Sequence, residues 1–197
     1  MAPGFPTTRR ALLRAGAACG VSLWVGRSAA QSVEVPVRLQ AELLAKVVAY
    51  DRNFVERAHG NAVVLVLVKP GDAESARVGE QIHDELGVLP QLGGVPHSEQ
   101  MLPFTHRRAV ADLCKSRAAA VLYLSVGLAD EVPGLAALLA GQSILTVAAT
   151  PSDVPRGGVL GFEAESGRPK LVVNLTQARL QKVAFKPELL KLARVIQ

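Results

Sequence analysis

The sequence predicts an α/β fold: a single three-layer domain on a mainly parallel sheet, with a C-terminal β-hairpin and flanking helices. Three observations carry that expectation. Apolar, β-branched-rich runs at Ala62 to Val68, Ala119 to Leu124 and Ile144 to Ala149 have the pattern of strands covered on both faces. Stretches with helical spacing separate them, and strand alternating with helix calls for right-handed crossovers and parallel pairing. The alternation then stops. Val159 to Ala164 and Lys170 to Val173 flank Glu165-Ser166-Gly167-Arg168-Pro169, which reads as a hairpin.

The first thirty residues read as an address rather than as structure. Arg9-Arg10 precedes a short apolar stretch, Ala15 to Gly26, and Ser28-Ala29-Ala30 supplies small residues for cleavage. Paired arginines point to twin-arginine export, with cleavage after Ala30. The apolar stretch is shorter than the ~20 residues that span a bilayer, so a retained anchor is the weaker reading. Cys19 resembles a lipidation cysteine, but Arg14 leaves almost no apolar segment ahead of it. The segment also holds four of the chain's 22 basic residues (Arg9, Arg10, Arg14 and Arg27) and no acid. Without it, 18 basic residues face 17 acidic ones, so the high pI of about 9.6 belongs largely to the leader. A nucleic-acid partner loses its support on that balance. The 167 residues that remain suffice for one domain, residues 31–197, with a sizeable core.

Within that domain, Leu44, Val47, Val48, Phe54, Val55 and Ala58 recur at helical spacing, predicting one long amphipathic helix from Val37 to Ala58, ended by Gly60. The first strand follows at Ala62. Lys69-Pro70-Gly71-Asp72 is a loop, and Asp72 caps a helix running to about Leu86. Residues 87–104, with three prolines and two adjacent glycines, read as irregular apart from a short strand near Gln100 to Leu102. Thr105 caps a helix through Arg117, and Glu131 to Ala140 is a further helix. Leu175 to Val183 is helical, and Pro187 opens a last helix, Glu188 to Ile196.

A search for chemistry finds little. His59, His83, His97 and His106 make no pair at metal-ligand spacing, and the chain has no G-x-S-x-G elbow and no P-loop lysine motif. Gly157-Gly158-Val159-Leu160-Gly161 lacks the strand-before, helix-after context of a dinucleotide loop and reads as a turn entering a strand. Cys114, on a helical run with Val110 and Leu113, reads as a small buried hydrophobe. No cofactor, no metal and no enzymatic activity are expected.

Five residues stand out as candidate ligand or partner contacts: Asp51, Arg52, Ser125, Thr150 and Asn174. Asp51 falls inside the apolar stripe of the first helix, where a carboxylate needs a partner. Either it bonds a backbone amide or basic group and fixes how the helix docks, or it faces a ligand. Arg52 lies on another face and can pair with Glu56 at i+4. Ser125 and Thr150 belong, with Lys69 to Asp72, to the edge outside the carboxyl ends of the strands, where open α/β sheets bind ligands. Asn174 ends a strand just before a helix and is placed to cap it. Arg107 and Arg108 oppose a helix dipole unless an acid or anion lies close, and read as solvated surface.

An ordered series in the C-terminal third carries a family resemblance. Leu145-Thr146-Val147, Gly157 to Phe162, Val173-Asn174-Leu175, Ala178-Arg179 and Leu189-Leu190-Lys191-Leu192-Ala193 together resemble the YfiR/HmsC-like family of periplasmic proteins. Ala120 to Leu124 resembles that family's strand, and the first helix occupies the place of its N-terminal helix. The resemblance implies a small periplasmic α/β domain that restrains an inner-membrane diguanylate cyclase, and so affects cyclic-di-GMP and biofilm formation. Two departures mark a divergent branch. The cysteine pairs of better-known members are missing, and Tyr50-Asp51-Arg52-Asn53 stands where the family pattern has phenylalanine or tryptophan followed by proline.

The expected partner is therefore an inner-membrane signalling protein, with a small-molecule ligand and a homodimer as further possibilities. The rival reading is a small-solute-binding component of an envelope transport or sensing system. Such proteins clamp ligand between two lobes, and this chain suffices for one.

Overall fold

The computed structural model describes residues 35–197, together with Met1; the leader, its cleavage site and Cys19 lie outside the described residues. Seven strands form one sheet in the order β2-β1-β3-β4-β5-β6-β7. They are β1 (Ala62–Val68), β2 (His97–Pro103), β3 (Val121–Leu124), β4 (Leu145–Ala148), β5 (Leu160–Glu165), β6 (Arg168–Asn174) and β7 (Ala193–Ile196). Neighbours from β2 through β5 are parallel, β5 and β6 form an antiparallel hairpin, and β7 lies parallel to β6.

Strand alternation divides the core between the two faces. Val64 and Val66 of β1, with Val121 and Tyr123 of β3, face one cluster. It includes Leu44 and Val47 of α1 (Val37–Val47) and Val78 and Ile82 of α3 (Ala73–Gly87). Leu65, Leu67, Leu122 and Leu124 point the other way, against α4 (Arg107–Ser116) and α5 (Val132–Leu139). Both faces are covered, which is why the strands read as continuous apolar runs. The three-layer architecture matches the expectation.

Five local expectations are corrected. The predicted helix over residues 37–58 is broken: α1 ends at Val47, a 3-10 turn spans Val48–Tyr50, and α2 covers only Phe54–Ala58. Asp51 between them is extended (φ −88°, ψ 116°) and bridges to Phe185. Residues 97–103 form a full edge strand, paired with β1 along its whole length. Its polar His-Ser-Glu-Gln sequence hid it, because an exposed edge needs no apolar alternation. The helix expected from Thr105 starts at Arg107, and its cap is His106, whose Nδ1 accepts from the Ala109 amide at 3.2 Å. The last predicted helix is a single turn, α7 (Pro187–Leu190), after which the chain pairs with the open side of β6 as β7. There tertiary pairing overrides helical spacing. The preceding helix, α6 (Leu175–Leu180), also stops early, with Lys182 left-handed at φ 55°.

Candidate functional site

The β1–α3–β2 crossover runs to one side of β1 and the path to β3 runs to the other, so the strand order reverses beside β1. Outside the carboxyl ends of the strands at such a reversal, α/β folds usually place a ligand. Here that edge is filled by its own polar groups. Asp72 Oδ1 accepts from the amides of Glu74 (3.1 Å) and Ser75 (3.0 Å), capping α3. Ser75 Oγ accepts from the Lys69 amide at 2.9 Å, and Ser125 Oγ donates to the Ser75 carbonyl at 2.7 Å. Gly127 (φ +81°) lets the two loops meet, because a Cβ there would lie 2.6 Å from Asp72 Oδ2.

The next strand end is closed in the same way. Thr150 Oγ1 donates to Asp153 Oδ2 at 2.8 Å in the 3-10 turn after β4. Asp153 is fully buried and its Oδ1 has no protein partner. Burial pushes its carboxyl above the ordinary range; the Thr150 bond and the Arg156 charge oppose that shift, and the Asp130 charge adds to it. Beneath, the Tyr123 hydroxyl donates to Gln40 Oε1 at 2.8 Å, while Gln40 Nε2 donates to the carbonyls of Val35 (3.0 Å) and Ala149 (3.2 Å). Ser125 and Thr150 thus hold the edge together and are buried within it.

Asn174 sits at the β6–α6 corner. Its Oδ1 accepts from the Gln177 amide at 2.9 Å, the expected N-cap, and its Nδ2 donates to the Val154 carbonyl at 3.1 Å. The cap therefore also ties the corner to the loop entering β5.

Asp51 lies at the amino-terminal edge of the parallel strands, opposite Ser125 and Thr150. Its Oδ2 meets Arg57 Nη1 at 2.7 Å, with side-chain exposures of 0% and 1% respectively. Its Oδ1 accepts from the Asn53 (3.1 Å) and Ala184 (2.9 Å) amides. Arg57 is held further by Ser143 Oγ (3.2 Å from Nε) and the Lys182 carbonyl (3.1 Å from Nη2). The carboxylate thus joins the N-terminal helical segment to residues 182–186. Arg52 is exposed, and its backbone amide donates to the Ala184 carbonyl at 3.0 Å. The partner the sequence leaves open is Arg57, six positions on, which an unbroken helix would turn away from Asp51.

A groove of about 750 Å³ opens beside this pair, where β1, β3 and β4 enter the sheet. Arg57, Lys115, Lys182, His59 and Glu56 line it with the Gly141–Ser143 turn. Sequence reasoning missed Arg57, Lys115 and Lys182 as neighbours, because three separate connections bring them together. Cys114 also borders the groove, but it is buried and burial pushes its thiol up to about 12, the behaviour of a packing residue. Arg107, at the start of α4, meets an acid after all: its Nε donates to Glu131 Oε2 at 2.7 Å. Among the described residues no three His, Cys, Asp or Glu side chains gather as a metal site, and no helix is long and apolar enough to cross a membrane.

Comparison with known proteins places this architecture. The YfiR/HmsC-like family matches over residues 39–194. No curated protein matches the chain. Among solved structures, the ABC domain from Streptococcus pneumonia in complex with L-Trp is similar at TM-score 0.60 and 12% identity, over 82% of this chain and 62% of that one. A conserved domain protein from Vibrio cholerae O1 biovar El Tor gives 0.59 and 14%, over 82% and 60%. The ligand-free, open substrate-binding protein with adhesive properties from Clostridium difficile gives 0.58 and 13%, over 83% and 60%. At such identities the likeness is one of fold. The chain spans about three-fifths of the length of each of these structures.

Proposed function

The chain belongs to the YfiR/HmsC-like family, and from that premise we propose that it is a periplasmic regulator of an inner-membrane signalling protein. A diguanylate cyclase is the finer reading of that partner, with cyclic-di-GMP and biofilm formation downstream. The family match across residues 39–194 is the observation that carries the proposal. Arg9-Arg10 and Ser28-Ala29-Ala30 support export by the twin-arginine route with cleavage after Ala30. The chain acts by binding rather than by catalysis.

The alternative, a solute-binding component, draws on likeness to a substrate-binding protein. Two observations weigh against its usual geometry. The chain matches about three-fifths of such a structure, and the hydroxyl and carboxylate groups at its carboxyl edge are bonded within the chain, Thr150 to Asp153 and Asp72, Ser75 and Ser125 to backbone groups. A ligand there would have to displace bonds already made.

Photo-crosslinking in intact cells, from positions on the exposed α2 surface such as Val55, tests the proposal. Capture of an inner-membrane protein with a periplasmic part is the expected result, and its sequence identifies or excludes a cyclase. N-terminal sequencing of the same preparation should begin at Gln31. A chain that captures no membrane protein, yet melts higher with an envelope solute, belongs to the alternative.

A further inference from the structure

We propose that the groove at the amino-terminal edge of the sheet binds a small oxyanion-bearing solute, a carboxylate or phosphate compound, through Lys115 and Lys182 above the buried Arg57. The inference rests on the groove alone and is independent of which membrane protein the chain regulates. Its volume of about 750 Å³ is in the range of small-molecule sites. It opens at the edge opposite the one the chain fills with its own hydrogen bonds.

Arg57 forms a fixed floor. Its side chain is 1% exposed and is held from three directions, by Asp51, Ser143 and the Lys182 carbonyl. Being out of water, the guanidinium shapes the bottom of the groove and leaves direct contact with a solute to the exposed Lys115 and Lys182.

The helix ends act against an anion. α2, α4 and α5 all finish at the groove, and their carboxyl ends carry partial negative charge that disfavours an anion. Their last carbonyls are, however, capped within the chain. Leu113, Cys114 and Lys115 carbonyls accept from the amides of Arg117, Ala119 and Ala118, and Leu139 accepts from Gln142. Glu56 accepts from His59. Lys115 and Lys182 are therefore not consumed as caps, and among the described residues neither has an ion-pair partner. With Asp51 set against Arg57, two lysines face the single acid Glu56 on the groove walls, an excess of positive charge.

Titration of the purified chain with inorganic phosphate, and separately with succinate, at constant ionic strength tests the assignment by NMR. Saturable shifts are expected at the amides of Ala118 and Ser143 and at the Arg57 Nε–H. Lys115→Gln combined with Lys182→Gln should weaken binding by about tenfold for each lysine lost, the scale of a charged hydrogen bond. These surface changes leave the Asp51–Arg57 pair intact, and Lys69→Gln with Lys191→Gln, away from the groove lining, should bind as wild type. Saturation by phosphate alone, or by succinate alone, names the source of the oxyanion. Absence of saturation by both, or equal weakening in the two double variants, overturns the assignment.

Discussion

Asp51 and Arg57 meet at 2.7 Å with both side chains out of water, and each also holds backbone or hydroxyl partners. Such a pair contributes little beyond an apolar replacement, but breaking it strands a buried charge. Asp51→Asn should therefore destabilise the chain by about 3–5 kcal/mol, visible as a lowered Tm. An unchanged Tm would make Asp51 a contact residue instead. Asn174 does two jobs, accepting from Gln177 and donating to Val154. Asn174→Ala should lose both, at ~1 kcal/mol for the cap and ~1 kcal/mol for the bond. Asn174→Ser keeps the acceptor, so its melt should fall between wild type and Ala; three equal melts would exclude capping. Asp153 is a third case, with a pH signature. Its folded carboxyl holds the proton more tightly than in the unfolded chain, so the folded state binds more protons between the two values. Its contribution is then favourable at low pH and lost as pH rises through that window. Asp153→Asn removes the titration. The variant's Tm relative to wild type should be highest at neutral pH and fall on acidification, and parallel Tm–pH curves would exclude this.

Among the elements, those buried on both faces were legible and those at the margins were not. β1 runs over Ala62–Val68 as its apolar run predicts, and the Asp72 cap of α3 is where the sequence puts it. The interruption at Asp51 was invisible because its cause, pairing with Phe185 and Ala184, lies more than a hundred residues away. The same is true of the groove, whose walls come from three connections. β7 is the plainest example. Residues 188–196 have helical spacing, yet Ala193–Ile196 completes the sheet because β6 offers an open edge. Arg194 fastens it, reaching across β6 to Glu163 with Nε at 2.9 Å from Oε1 and Nη2 at 2.7 Å from Oε2. The bond from Arg194 holds the Glu163 carboxyl below its ordinary range. The pair's stabilisation is thus present above the unfolded carboxyl pKa and lost as pH falls through the folded one. Hydrogen-exchange protection of the β7 amides that pair with β6 should drop on acidification while β1 stays protected. Arg194→Ala should give the low-pH behaviour at neutral pH; equal protection in the variant would detach β7 from this pair.

At the scale of the whole molecule, one sheet carries two edges with opposite character. The amino-terminal edge is open and basic, and the carboxyl edge is closed by hydrogen bonds within its loops and by one from Ser125 to Ser75 between them. The distinction bears on function, since a solute-binding lobe would leave its carboxyl edge free for ligand and a second lobe. Gly127 gives the test. Its φ of +81° disfavours any side chain, and an added Cβ would fall 2.6 Å from Asp72 Oδ2 and 3.3 Å from Lys69 Cδ. Gly127→Ala must push Asp72 away from the amides of Glu74 and Ser75, losing the cap of α3 and loosening the contact between the loops after β1 and β3. The expected cost is ~1–2 kcal/mol in urea unfolding, with an unchanged m-value because the folded state stays compact. Phosphate binding at the amino-terminal edge should be unaffected, as the two edges share no side chain. If Gly127→Ala unfolds at the wild-type urea concentration, the carboxyl edge is not held by these bonds. Its loops are then free to serve a ligand, and the solute-binding alternative regains its ground.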